Sequence, residues 1–504
     1  MRLRSYGMAA TLTVAACSGS TGPHATSPII IFGNHQSDTI LGTLPEPLLI
    51  GVTIPRGQSP SGHQVQFASL PDTNRQLGYQ IYFGPPNDHS YFPPNSPEWA
   101  DSTNASGVAS VTVRMGAQAG TALVLITVPD FGYVDTATFT VLPGGAFQLV
   151  ASPADTTVFT GVSFTYHSHT VDRFGNPRND SLTYTVNSGP VTMSGPKATA
   201  GAPGSATLTI VAPNAGLGAN ASVTVVPHGA LAASTGTGIV MFQLDGTGMQ
   251  TILQGTMAGD VKWDPTGTHL AFDGNASCSA GTAILSTTDL HGTTTVVANG
   301  SDFEGSGNYQ DAYPSYSSDG TWIYYQQNEE AGGATGRVRR VHIDGTGDTL
   351  ISGPLSYYPT PSPDNSWIAY VIAGATTTSL RTLNLHTAAI DSIQSSVWSP
   401  EWSPTGNAIA YLTPFGCTGQ IALVAPDGSG NRVLTSAVYH AGFDWSPDGQ
   451  WIVATNTTTG LFDLINATTG QTIPLPYSTG LASPAWQPGS SPSTNRVRNK
   501  LGHK

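Results

Sequence analysis

The chain has 504 residues, with Lys+Arg 18 against Asp+Glu 31, a formal net charge of -13 and only 10% charged residues. That length suits about three domains with sizeable cores, and the negative balance argues against nucleic acid, which is held by basic surfaces. Gly (58) and Pro (37) are plentiful, which favours turns and strands over long helices.

At the start, Arg2 and Arg4 precede a short apolar run over 6–16 that is too short for a structural membrane span. Val14-Ala15-Ala16-Cys17 resembles the bacterial lipoprotein cleavage box. The resemblance implies a signal peptide over 1–17 with Cys17 as the lipidated residue, and Ser18 after it resembles sorting to the outer membrane. Residues 18–27 read as a flexible polar tether.

From 28 to 227 short alternating runs such as 108–114, 121–128, 182–186 and 221–226 predict strands separated by turns, with no helical period. Two modules, 28–144 and 145–227, have the size of immunoglobulin-like sandwiches. The stretches 107–120 and Asp172-Arg-Phe-Gly175-Asn176-Pro177 resemble the bacterial Ig-like (Big) repeats of surface proteins, which act as spacers. The aromatic, Pro-rich stretch 79–99 is a long insertion for that pattern. His167 and His169 are expected on one strand, as an exposed polar face.

In the second half one phrase returns six times at steps of 41 to 53 residues. It reads Trp263-Asp-Pro265-Thr-Gly267, Tyr316-Ser-Ser318-Asp-Gly320, Pro361-Ser-Pro363-Asp-Asn365, Trp402-Ser-Pro404-Thr-Gly406, Trp445-Ser-Pro447-Asp-Gly449 and Trp486-Gln-Pro488-Gly489. Aliphatic residues recur after the first five copies, at Leu270, Ile323, Ile368, Ile409 and Ile452, which predicts strand, tight turn, strand. A second set of turns alternates with the first: Asp245-Gly246, His291-Gly292, Asp344-Gly345, His386-Thr387, Asp427-Gly428 and Thr469-Gly470. Each repeat is therefore four antiparallel strands, the size of a propeller blade.

The phrase at 445–452, with the hairpin over 421–435, resembles the PD40 (WD40-like) repeats of TolB-like propellers. The resemblance implies an all-β chain, two Ig-like β-sandwiches followed by a six-bladed β-propeller over 228–489. The last phrase supplies an innermost strand and 229–253 supplies three strands without one, so the sixth blade is expected from both ends of the domain. Residues 490–504, carrying Arg496, Arg498, Lys500 and Lys504, are expected to be a disordered basic tail.

Strand order gathers the tight turns on one face, the far face, and the irregular loops 273–282, 299–311, 326–336 and 373–379 on the near face. Residues just ahead of each innermost strand form the expected partner-binding rim on the near face: Asp260, Asp311, Tyr313, Tyr357, Tyr358, Trp398 and His440. Asp302, Glu304, Glu329 and Glu330 add carboxylates nearby. Aromatics with scattered carboxylates suit a protein or glycan surface. Cys278 and Cys417 occupy equivalent loops of opposite blades, so a disulfide requires both loops to fold over the channel. An exported compartment favours oxidation, and both the bonded and the free state stay open at this point.

No Gly-x-Ser-x-Gly elbow, His-Glu-x-x-His, phosphate-binding loop or Cys-x-x-Cys occurs. No catalytic residue, metal site or cofactor is expected, and His228, His269, His291, His342, His386 and His440 are scattered over turns. The chain reads as a monomeric binding or scaffolding protein of the bacterial cell envelope, joined to the membrane by its lipid anchor only. Its propeller would take a protein, or a glycan, and no nucleic acid. The alternatives are a carbohydrate-active lyase or hydrolase at the channel mouth, and an adhesin that binds through the Ig-like modules.

Overall fold

Alternation of apolar and polar residues governs both compact units into which the chain divides. The structure is a computed structural model, and it describes residues 29–70, 80–85, 97–274, 284–298, 309–329, 336–374, 376–414 and 416–489. Cys17, Cys278, Asp302, Glu304, Glu330, the tether, most of the insertion over 79–99 and the basic tail lie outside the described residues.

The first unit spans Met1–Val150, His169–Ser181 and Ala212–Leu217. One sheet runs in the order Ile29–Phe32, Leu48–Val52, Val108–Met115, Ile81–Gly84; a second runs Ser37–Thr39, Tyr133–Leu142, Gly120–Val128, Gln64–Ser69, Glu98–Ser102. Every second residue of the longer strands points inward, so Leu48, Ile50, Val111 and Val113 of one sheet share a core with Phe67, Val124, Ile126 and Phe139 of the other. A small third sheet joins Ala146–Val150, His169–Asp172 and Pro177–Arg178. His169 opens its middle strand, while His167 precedes it and gives its backbone N–H to Ser152 O. The two histidines therefore do not share a strand.

The motif over 172–177 explains its own composition. Buried Asp172 accepts the backbone N–H groups of Gly144, Phe174 and Asn176 together with Asn176 Nδ2. Asn176 in turn bonds Ala117 O and the Ala119 N–H. Burial works against the Asp172 carboxylate, yet these donors hold its pKa below the ordinary value.

The second unit spans Ala151–Ser168, Leu182–Val211 and Gly218–Lys504. Its first part holds a sheet ordered Asp155–Phe159, Leu217–Val226, Gly204–Ala212, Thr183–Ser188 and another ordered Ser163–Thr165, Lys197–Ala200, Val191–Ser194. Among the described residues six antiparallel sheets then follow, five of four strands and one of four strands plus the short Tyr439–His440, giving the all-β chain its propeller architecture. The first five start on Lys262–Trp263, Tyr309–Tyr316, Ser356–Pro361, Trp398–Trp402 and Asp444–Trp445. The remaining sheet takes Ala482–Trp486 as its innermost strand, beside Ala230–Ser234, Gly236–Gln243 and Gln250–Ala258. The domain's two ends thus meet in one sheet, which leaves no innermost position unpaired.

The repeated phrase holds each first turn by side-chain bonds. Ser317, Ser362 and Ser446 give their hydroxyls to Asp319, Asp364 and Asp448 and accept the N–H of the tryptophan that opens the second strand. The turn's fourth position has positive φ, +70° at Gly267 and +57° at Asn365, which is why Gly or Asn recurs there. These turns touch in a ring: a Cβ on Gly267 would stand 2.8 Å from Pro488 O, and Gln487 Nε2 donates to Gly267 O. First and last phrases are neighbours.

Candidate functional site

The innermost strands share an irregularity just before the repeated phrase. Tyr313, Tyr358, Ser399 and Ser483 have φ of +55°, +53°, +44° and +46°, each is followed by Pro, and Gly442 takes the same place in the fifth sheet. Proline disfavours the right-handed helical region for the residue before it, and the strand register slips across each of these pairs. A left-handed non-glycine residue costs about 1–2 kcal/mol, so the neighbouring sheets must hold it. Buried Asp273 accepts the Tyr313 N–H, and Gln326 Oε1 accepts the Tyr358 N–H.

These bulges bring part of the expected rim together around one cavity of ≈ 30 Å³, lined by residues of five innermost strands and by Gly442 and Phe443 just ahead of the strand Asp444–Trp445. Tyr313 and Tyr358 rings lie 4.4 Å apart, Tyr358 and Trp398 4.8 Å, and Tyr357 and Trp398 6.2 Å. Asp260 joins them at the cavity, where Ser483 Oγ donates to it at 3.4 Å. Burial holds the Tyr358 phenol well above its ordinary pKa, with Tyr313 and Asp260 adding to the rise. The remaining two depart from the expectation. Asp311 is fully buried and its carboxylate accepts Gln327 Nε2 inside the second sheet. His440 is exposed on the short strand Tyr439–His440, which pairs with Thr418–Val424 outside the channel. Cys417 is disulfide-bonded, and its partner lies outside the described residues.

Below the aromatic cluster the channel is crossed by an ion group that the sequence reading missed. Lys262 of the first sheet places Nζ 3.1 Å from Glu401 Oε1 of the fourth and 3.1 Å from Asp444 Oδ1 of the fifth. It also donates to Phe443 O, and Asp444 accepts the Trp486 N–H at 2.7 Å. The three side chains keep 15–19% exposure to the narrow channel while protein surrounds them. Burial disfavours the Lys262 ammonium, but Asp444 and Glu401 override it and hold its pKa above the ordinary value. Burial pushes Glu401 up to about 7 against the pull of Lys262, and Asp444 adds to the rise. The signal was present in the repeat: the residue before each aromatic or Pro runs Lys262, Ser315, Thr360, Glu401, Asp444, Ala485. One cation and two anions occupy a position that is otherwise small.

On the other side of the ion group the channel opens toward the turns in a funnel of ≈ 430 Å³. Its walls are the repeated phrases themselves, with Pro265, Pro363, Pro404, Pro447 and Pro488 between Trp263, Tyr316, Trp402, Trp445 and Trp486. Trp263 Nε1 donates to Ala485 O and Trp445 Nε1 to Glu401 O, but Trp402 Nε1 is buried without a partner. Among the described residues no group of three or more His, Cys, Asp or Glu is placed to hold a metal ion, and no helix is long and apolar enough to cross a membrane.

No family model matches the chain, and no curated protein gives a significant match. Solved structures do. TolB from Acinetobacter baumannii is similar at 17% identity and a TM-score of 0.41, over 62% of this chain and 84% of that one. A putative TolB from Agrobacterium tumefaciens is similar at 16% and 0.38, over 49% and 88%. Oligogalacturonate lyase from Vibrio parahaemolyticus is similar at 13% and 0.33, over 51% and 82%. At these identities and scores the likeness adds nothing to the sheet order, which carries the propeller architecture by itself.

Proposed function

We propose that the chain is a binding protein of the bacterial cell envelope. Cys17 anchors it by lipid, Ig-like modules over 28–144 and 145–227 act as spacers, and a TolB-like six-bladed propeller over 228–489 takes a protein partner, or a glycan, at its near mouth. The observation that supports this most is the narrow channel, with packed aromatics on one side, the Lys262 group on the other and ≈ 30 Å³ between them. Small-molecule sites usually offer about 300–1,000 Å³, and the described residues leave much less than that between the aromatics and the Lys262 group. Tyr313, Tyr357 and Trp398 are half-buried there and fixed by one another. Rigid aromatic area of this kind binds at low entropic cost. A disulfide at Cys417 supports an oxidising compartment.

The test is capture from envelope extract by the wild type and by a Tyr313→Ala/Tyr357→Ala/Trp398→Ala variant, which leaves the buried Tyr358 in place. The variant is expected to lose the captured partner while melting within a few degrees of wild type, and variants in the Asp427-Gly428 turn should keep it. Retention by the rim variant with loss in the turn variant would move the site to the other face. One observation favours an enzyme instead: a carboxyl held near neutrality beside a lysine resembles a general-acid environment. Turnover of any oligosaccharide that Glu401→Gln abolishes would establish that reading.

A further inference from the structure

We propose that the far-mouth funnel of the propeller binds a small organic amine, its ammonium held by Glu401 and Asp444 and its apolar body by the proline wall. The site lies on the opposite face from the aromatic rim and stands whether or not that rim takes a partner. Space is the first observation. The funnel measures ≈ 430 Å³, inside the range of about 300–1,000 Å³ that small-molecule sites occupy. Its accessible wall is the third residue of the repeated phrase: Pro265, Pro363, Pro404, Pro447 and Pro488 are half-buried or exposed, whereas the tryptophans of the same phrases are buried. Proline carries no backbone N–H, so this wall presents methylenes and leaves polar recognition to the floor.

Charge is the second. Asp444 borders the funnel and not the inner cavity, while Lys262 and Glu401 border both, so the floor is the ion group itself. Its side chains keep 15–19% exposure, and one ammonium stands against two carboxylates. Lys262 Nζ donates to Glu401 Oε1 and Asp444 Oδ1, and the Trp486 N–H donates to Asp444 Oδ2. Glu401 Oε2 accepts no hydrogen bond among the described residues. A carboxylate has about four acceptor positions, so both acids have room for a further donor. Asp319, Asp364 and Asp448 stand exposed beside the wall residues Ser318, Pro363 and Pro447 and add negative potential at the mouth.

Wall and floor together choose the ligand. An anion would meet an excess of carboxylate, and a sugar would lay hydroxyls against prolines that cannot pair them. An amine concentrates its charge and its donors at one end and leaves the rest apolar, as this funnel does. Burial, with Asp444 adding to it, holds Glu401 near neutrality against the pull of Lys262. A second ammonium takes the place of that proton and brings the floor to two positive charges against two negative.

The experiment is calorimetric titration of the full chain with phenethylamine and with phenethyl alcohol, which has nearly the same shape without the charge. The amine is expected to bind at one site and at least tenfold more tightly than the alcohol. It stays protonated near neutral pH while it displaces the Glu401 proton, so its affinity should fall about tenfold from about pH 8 to about pH 6. Glu401→Gln should weaken binding and remove that pH dependence. Pro404→Lys and Pro404→Glu change an exposed turn position of the wall that tolerates most residues, so they test the site without touching the buried charges. Pro404→Lys should weaken amine binding several-fold and Pro404→Glu should strengthen it. No saturable binding, equal affinity for the alcohol, an affinity that does not change with pH, or the same affinity in the two Pro404 variants overturns the proposal.

Discussion

Lys262 shows how one residue can decide the state of two others. With its ammonium present, Glu401 and Asp444 share a counter-ion; without it, two carboxylates face each other in a narrow channel. Breaking a buried ion pair from one side typically costs about 3–5 kcal/mol, so Lys262→Met should lower the midpoint of denaturant unfolding strongly. Lys262→Met/Glu401→Leu/Asp444→Leu should recover much of the loss. Glu401 also gives a pH signature. Its folded pKa of about 7 lies above its ordinary value, so the folded state holds the extra proton between those values, and this contribution to stability falls as pH rises through about 7. The raised pKa of Lys262 keeps its contribution across that window. Unfolding free energy compared at about pH 5 and pH 8 should drop in wild type and drop less in Glu401→Gln; equal drops would mean that Glu401 is not the titrating group.

At the scale of elements, the turns are the joints between sheets. Gly267 and Gly255 have almost the same φ, +70° and +76°, but a Cβ on Gly267 would meet Pro488 O at 2.8 Å and one on Gly255 would meet nothing within 4 Å. Gly255→Ala therefore measures backbone strain alone, about 1–2 kcal/mol, and Gly267→Ala adds the clash across the joint of first and last phrases. A lower melting temperature for Gly267→Ala than for Gly255→Ala is expected; equal values would show that the joint is loose.

The same elements explain what was legible in the sequence. Trp, Pro and Asp-Gly recur because turn geometry and wall packing repeat, so strand, turn and closing order follow from spacing. Lys262, Glu401 and Asp444 stand out in the sequence as the charged members of one repeat position, but that they pair with one another appears only when the sheets meet around the channel. Asp273 and Gln326 escaped for the reverse reason: each lies outside the phrase and supports the backbone of a neighbouring sheet. Asp311 misled because a carboxylate before a strand reads as exposed, whereas Gln327 on the paired strand takes it inward.

For the whole molecule, closure and anchoring are separable. Removing 483–504 deletes most of the strand Ala482–Trp486 and leaves Ala230–Ser234 as an open edge, so aggregation or loss of a cooperative melt is expected. Removing 495–504 leaves every described strand intact and should shift melting by only a few degrees; identical curves for the two truncations would contradict the closing sheet. Cys17→Ser should move the protein from the membrane fraction to the soluble one, since stable anchoring depends on the lipid chains. A variant that stays membrane-bound after high-salt washing would show that attachment does not depend on Cys17.

The pairing of Leu231 with Trp486 also imposes an order on folding. During synthesis Ala230–Ser234 emerges early, yet its partner on the channel side appears only after five other sheets have been made. Until then one strand waits with unpaired backbone groups on one side, and the contact that finishes the domain spans nearly all of its length, the kind of pairing that folds slowly and exposes chains to aggregation. Until Trp486 arrives, the channel-side edge of Ala230–Ser234 has no partner within the domain.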